Sequence, residues 1–305
     1  MCGVDVTTWL LNGDPAIRWQ ARRDLLHEAP EVVSAERELV ETQGWGAQLL
    51  DRQLPDGSWG NGVWTQRDSL GVDDAMLLLT LLGAEGPRTR TAVERVKSGV
   101  DWGEEWGNHP FFDGEVEPCI NGRVLVAGAY FGESSELIVE RLLADQQTDG
   151  GWNCWTEDRK DPGSFHSTIC ALEGLTAYRD AGGPTEVAAA IGRGQDYLLE
   201  RGMLRRKHDG ELVEERWLTF AFPTYWHYDV LRGLDYLRTA GIPADDRVAE
   251  AVGVVRDRRQ NDGRWLLDRV YPGRTIVALE DAGEPSRWIT VRALRVLEWA
   301  GGRAD

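Results

Sequence analysis

The sequence predicts an all-α protein, a single α/α toroid of six inner and six outer helices. Two observations carry this. Nearly apolar helical segments alternate with amphipathic ones along the chain, as expected for an inner ring enclosed by an outer one. Turn signatures containing Asp-Gly and Trp recur at about fifty residues, the period of helix-pair repeats. The whole chain of 305 residues reads as one such domain, with the helical segment 1–50 closing the barrel.

The segments follow in order. Asp14-Pro15 opens a helix running to Leu26, and Glu31 to Leu50 reads as a second. Asp73 to Leu82 is apolar almost throughout and predicts burial on all sides. Thr91 to Val100 is amphipathic, Pro118 to Tyr130 apolar, and Ser135 to Leu143 amphipathic again. Ser164 to Ala177 is mostly apolar, with Ser164 placed as an N-cap. Pro184 to Leu199, Thr224 to Leu237, Ala244 to Val255 and Ser286 to Trp299 complete the series. The helices beginning near 15, 73, 118, 165, 225 and 287 are assigned to the inner ring. Their N-termini then share one mouth, which gathers Asp73, Cys119, His166, His227 and Trp288.

Between the helices, Gln53-Leu54-Pro55-Asp56-Gly57-Ser58-Trp59 recurs as Gln146-Gln147-Thr148-Asp149-Gly150-Gly151-Trp152. Arg259-Gln260-Asn261-Asp262-Gly263-Arg264-Trp265 keeps the Asp-Gly and the Trp, and Arg206 to Leu212 is a worn copy. Asp-Gly marks a tight turn. These Gln and Trp residues are read as structural.

Composition excludes several classes. Net charge is −17, from 51 acids against 34 bases, which argues against nucleic acid and anionic membranes as partners. No apolar run is long enough to span a membrane. Residues 1–11 lack the features of a signal peptide, so a cytoplasmic protein is expected. The cysteines are Cys2, Cys119, Cys154 and Cys170, and a disulfide framework is not expected in that compartment. Arg67 and Arg287 are candidates for an anionic substrate, against the simpler reading that they pair with the surplus acids.

Glu117-Pro118-Cys119 and Phe165-His166-Ser167-Thr168 each sit at the first turn of an apolar helix. Glu117, Cys119 and His166 are proposed on this basis to share one zinc ion, leaving a fourth position for water or substrate. The helix N-terminus predicts a low pKa for Cys119. Against this stands the plainer reading of a buried thiol and a capped histidine. Cys170 is read as core and Cys154 as packing, with a lesser role as fourth ligand. His227 and Asp229, opening an inner helix, are candidate general base or fourth ligand. For Asp73 and Asp74, favourable charge at a helix N-terminus competes with a catalytic acid.

The Gln-x-x-x-Gly-x-Trp turns resemble the repeats of squalene–hopene cyclases and of protein prenyltransferase beta subunits, over nearly the whole chain. That resemblance implies the six-plus-six helical toroid. Glu117-Pro118-Cys119 resembles the Asp-x-Cys pair of the prenyltransferase zinc site, with Glu for Asp. Phe165-His166-Ser167-Thr168 with Cys170 resembles the run carrying its histidine ligand. In that family the metal activates a thiol for alkylation by an isoprenoid diphosphate. The basic residues expected just upstream are absent here, where residues 108–116 offer His109 alone. Gly71-Val72-Asp73-Asp74 resembles the Asp-x-Asp-Asp acid motif of the cyclases, whose middle Asp protonates an alkene, with Gly71 replacing the first Asp. Three functions follow as expectations. The first is a zinc enzyme acting on a small, apolar or isoprenoid-like substrate, with prenyl or alkyl transfer implied by the resemblance. The second is an acid-initiated cyclase using Asp73. The third is a toroid that binds a small molecule or a protein without turnover.

Overall fold

A computed structural model of the protein describes residues 5–60, 62–63, 71–155, 162–271 and 277–301. Cys2 and Arg67 lie outside these residues. The described residues form helices α1 (Val6–Leu11), α2 (Pro15–Asp24), α3 (Pro30–Glu38), α4 (Gly44–Asp51), α5 (Val72–Leu82), α6 (Pro87–Gly99) and α7 (Pro118–Phe131). They continue with α8 (Glu136–Asp145), α9 (Phe165–Asp180), α10 (Val187–Leu199), α11 (Val230–Thr239), α12 (Ala249–Asp257) and α13 (Arg287–Trp299). A short antiparallel pair joins β1 (Trp265–Leu266) to β2 (Pro285–Ser286). No helix among the described residues is long and apolar enough to cross a membrane.

Contacts pass from helix to helix and return to their start. The Trp19 indole of α2 donates to the carbonyl of Leu82 at the end of α5 (2.9 Å). From there α5 packs on α7, α7 on α9, α9 on α11, α11 on α13, and α13 back on α2. The intervening helices lie against this series: α4 on α5, α8 on α7, α10 on α9, and α12 on α11 and α13. The apolar character of α5, α7 and α9 in the sequence is matched by burial along most of their length.

The repeats explain how each unit is held. Trp59, Trp152 and Trp265 each donate the indole N–H to a carbonyl ten residues upstream, of Leu49, Leu142 and Val255, at 2.7 Å in all three cases. Gln53 and Gln146 close their own turns on the carbonyls of Gly57 and Gly150 and reach across to those of Ala92 and Ala190. In the third copy Arg259 occupies the Gln position and bonds the carbonyl of Gly263 (3.4 Å). Gly57 and Gly150 have φ of +89° and +88°, and a Cβ on either would lie 2.6 or 2.5 Å from a neighbouring carbonyl oxygen. Only glycine meets both demands.

Several helix boundaries differ from expectation, among them the starts of α6 at Pro87, α10 at Val187 and α12 at Ala249, and two further differences have a visible cause. The helix expected from Glu31 to Leu50 is broken: a 3₁₀ turn over Leu39–Glu41 follows α3, and Gly44 adopts φ +66°. The Asp14 carboxylate takes the amide of Trp45 (2.8 Å) and packs against the bare Gly44 Cα, so the chain turns there. The helix expected from Thr224 starts only at Val230, because Tyr225 sits at φ +50° and Asp229 supplies the N-cap, accepting from the amide of Arg232 (2.8 Å). Ser164 stands at the N-cap of α9 without making a side-chain cap bond.

Among the described residues α7 and α9 approach each other closely. A Cβ on Gly122 would lie 2.2 Å from the Cys170 carbonyl oxygen, and one on Gly174 would lie 2.5 Å from that of Gly122. Gly122→Ala is therefore expected to separate the two helices and cost about 1–3 kcal/mol, read as a lower urea midpoint. An unchanged midpoint would contradict this close approach.

Candidate functional site

The site is built at the N-termini of α5, α7 and α9. They surround a cavity of about 260 Å³ lined by Asp73, Asp74, Glu117, Cys119, Ile120, Arg123, Cys154, Trp155, Ser164, His166, Ser167 and Trp226. Trp155 stands at its rim, 95 % exposed.

Asp73 and Asp74 open α5, each 2 % exposed. Arg123 reaches them from α7, donating from Nη2 to Asp73 Oδ2 (2.7 Å) and from Nη1 to Asp74 Oδ1. Its Nε bonds the carbonyl of Cys119 (3.3 Å), one turn back on the same helix. One guanidinium thus faces two buried carboxyl groups and can balance one negative charge. Asp73 Oδ1 is buried and has no hydrogen-bond partner. Burial, and next the charge of Asp74, push Asp73 up from 3.8 to about 7, against the pull of Arg123. A carboxyl with a pKa of about 7 is partly protonated near neutrality.

A second group of side chains shares the cavity. The carboxylate of Glu117 and the sulfurs of Cys119 and Cys154 lie within 4.8 Å of one another. Cys119 Sγ approaches Glu117 Oε2 at 3.6 Å, and the Cys119 amide donates to Cys154 Sγ (3.4 Å). The Ser167 hydroxyl touches the same sulfur at 3.1 Å. The low pKa expected for Cys119 is corrected here. Its thiol is pushed up, first by its hydrogen bond to Cys154 and then by burial, while Cys154 is pushed down because it accepts that bond. Cys154, read from sequence as packing with a lesser role as fourth ligand, shares this group with Cys119 and Glu117.

His166 borders the cavity but is not part of this close group. Its Nδ1 accepts the amide of Tyr228 (2.8 Å), so the neutral ring carries its proton on Nε2. Burial, then the charge of Arg232, lower its pKa to about 4. A ring with Nδ1 occupied and Nε2 protonated offers no lone pair to a cation. His227 stacks between Trp226 (3.8 Å) and Tyr271 (3.9 Å). Asp229 is buried and receives the amides of Arg232 and Ala221 (3.3 Å). Neither is among the described residues that line the cavity. Cys170 is fully buried, in contact with the Arg232 guanidinium (3.5 Å). Arg287 donates to the carbonyl of Trp9 (3.0 Å) and covers its ring. Sequence reasoning passed over Arg123, although a lone charge inside an apolar helix, four residues after Cys119, was a signal for it.

No family model matches the chain, and no curated protein matches it. Among solved structures it is similar to the type II terpene cyclase MstE from Scytonema in its apo form, with TM-score 0.43 and 18% identity over 86% of this chain and 70% of that one. A single-residue variant of that cyclase gives TM-score 0.46 and 17% identity over 94% and 86% of the two chains. Another variant, in complex with geranylgeranyl dihydroxybenzoate as its substrate, gives 0.43 and 16% over 97% and 86%. Likeness at this level transfers no residue role.

The raised pKa of Asp73 has a consequence for stability. An unfolded aspartate ionises near 3.8, so the protonated folded form is favoured below that pH and loses its advantage as pH climbs through about 7. Asp73→Asn removes this titration. Over that interval the melting temperature of the wild type is expected to fall relative to the variant. Parallel curves would mean that Asp73 is ionised throughout.

Proposed function

We propose that the protein cyclises an isoprenoid-like substrate by protonating an alkene, with Asp73 as the acid. The observation that carries this reading is the unpartnered Oδ1 of Asp73 beside a small cavity, on a carboxyl whose pKa lies near 7. The Oδ1–H proton adds to a terminal alkene carbon, and the π pair forms the new C–H bond. The O–H pair stays on Asp73, where Arg123 offsets the charge. The resulting carbocation is attacked by the next double bond of the chain. Loss of a C–H proton at the end restores an alkene. The rings of Trp155 and Trp226 offer π faces to a cation, and exclusion of water delays its capture. We read the closed series of inner helices as the single α/α toroid expected from sequence, its N-terminal mouth holding this site.

Asp73→Asn keeps the shape and removes the acid. Turnover of linear polyprenyl substrates is expected to fall by about 10²–10⁴-fold, and wild-type turnover to decline as pH rises through about 7, where Asp73 loses its proton. Full activity of the variant would overturn the reading.

A second reading is favoured by the group Glu117, Cys119 and Cys154. Two sulfurs and a carboxylate oxygen suit zinc, and the spacing is compatible with a common ion. On this reading Cys154 takes the place given to His166, and His227 and Asp229 act outside the ligand set. Bound zinc would supply a Lewis acid or an activated thiol or water. Elemental analysis of wild type, Cys154→Ser and His166→Ala tests it. Stoichiometric zinc lost in the first variant and kept in the second is expected; a metal-free wild type refutes it.

A further inference from the structure

The repeat turns share one backbone, and one of them departs from the rest in charge. Gln53, Gln146 and Arg259 bond the carbonyls of Gly57, Gly150 and Gly263, and Arg205 bonds that of Gly210 in the same way (2.7 Å). The residue after each of these donates its amide back across the turn at 2.8 Å, Arg206 doing so to the carbonyl of Glu211. Between that clasp and the Asp-Gly stand Leu54-Pro55, Gln147-Thr148 and Gln260-Asn261. In the turn at Gly210 the interval is Arg206-Lys207-His208, one residue longer and made of basic residue types, and Leu212 stands where the other copies have Trp. The other turns close with neutral side chains there, so closing the turn does not account for the basic run.

The run faces a second cavity, of about 560 Å³, whose lining includes Arg201, Arg205, Arg206, Lys207 and His208. Such a concentration of bases stands out in a chain of net charge −17. Ser164 and His166 line both this cavity and the acid cavity, while Asp73 lines the acid cavity alone. Among the described lining residues the one carboxylate is Glu214, which is occupied as the N-cap of the 3₁₀ turn Glu215–Leu218, accepting the amide of Arg216 (3.4 Å).

The bases have acidic partners, and these stand outside the lining. Asp149 pairs with Arg201, Glu250 with Arg205, Asp209 with Arg206 and His208, and Glu200 with Lys207. The pairs of Lys207 and Arg206 are exposed, and exposed pairs contribute little. Arg206 also reaches the carbonyl of Leu212 (3.2 Å). An ammonium carries three N–H groups and a guanidinium five, so both residues keep donors over for a second anion.

We propose that this cavity binds a soluble polyphosphate, inorganic or carried by a nucleoside, with Arg206 and Lys207 as its principal contacts. Several adjacent cations exceed what one carboxylate can use and suit an anion with several charged oxygens. Arginine meets phosphate through its fork and lysine through a point charge. No step of this inference depends on the cyclase reading, because the ligand occupies a different cavity from Asp73.

The test is titration calorimetry of the full chain with inorganic tripolyphosphate and with adenosine triphosphate, at ionic strength held constant with sodium chloride so that screening does not change. Wild type is expected to bind at least one of them, and the tighter of the two identifies the source. Affinity is expected to fall about tenfold in Arg206→Gln/Lys207→Gln and by less in Lys207→Gln, while Lys207→Arg retains it. The single variant keeps the test available if the double one does not fold. Lys97→Gln removes a half-exposed cation paired with Glu133 elsewhere on the surface and is expected to leave binding unchanged. Absence of binding by wild type, undiminished affinity in both glutamine variants, or an equal loss in Lys97→Gln overturns the proposal.

Discussion

One buried arginine facing two buried acids sets the character of the molecule's centre. Ion pairs out of water are costly unless every charge is answered, and here the count is uneven: Arg123 against Asp73 and Asp74. Burial and the charge of Asp74 raise the pKa of Asp73 to about 7, and one of its oxygens has no hydrogen-bond partner. The same arginine bonds the carbonyl of Cys119, so the acid pair and the thiol group are braced by a single side chain.

Burial pushes up other carboxyls too, Asp229 in the same direction and Glu115 to about 7, and Asp235 shows what surrounding cations do instead. Asp235 is as enclosed as Asp73, yet Arg292, Arg295 and Arg238 surround it and hold it well below the usual carboxylate range. Asp229 makes no direct ion pair among the described residues, and burial keeps its pKa raised although two backbone amides satisfy its oxygens. The three acids differ in the ratio of donors to oxygens, and Asp73 is the one with a deficit. The surroundings of a carboxyl thus separate a clasp, a cap and a carboxyl with a free oxygen, all of one residue type.

Much of the helical order was legible in the sequence because it is written in periodicity. Apolar helices such as Val72–Leu82 and Pro118–Phe131 announce burial directly, and the Asp-Gly-x-Trp turns announce their glycine backbone and their indole anchors. Boundaries failed where a distant residue decided them, as Asp14 does at Gly44. The site was legible in part. Asp73, Glu117, Cys119 and His166 do border one cavity. What the sequence could not convey was which nitrogen of His166 is occupied, since the Tyr228 amide that fills Nδ1 comes from a different helix start. Nor could it convey that Cys154, set in a loop, swings beside Cys119. Such facts depend on side-chain direction, which spacing does not encode.

The seam between the two ends of the chain has a bearing on how the protein is made. Arg295 reaches Asp24 and Gln20, and Arg287 reaches the carbonyl of Trp9. These bonds span nearly the full sequence and cannot form before the last helix has left the ribosome. Until then α2 has α1, α3 and α4 against it but not α13, and Trp9 lacks the guanidinium of Arg287. Synthesis from the N-terminus therefore builds an open arc whose final act is closure, and a chain stopped short of α13 is left with a gap where its first helices should be sealed.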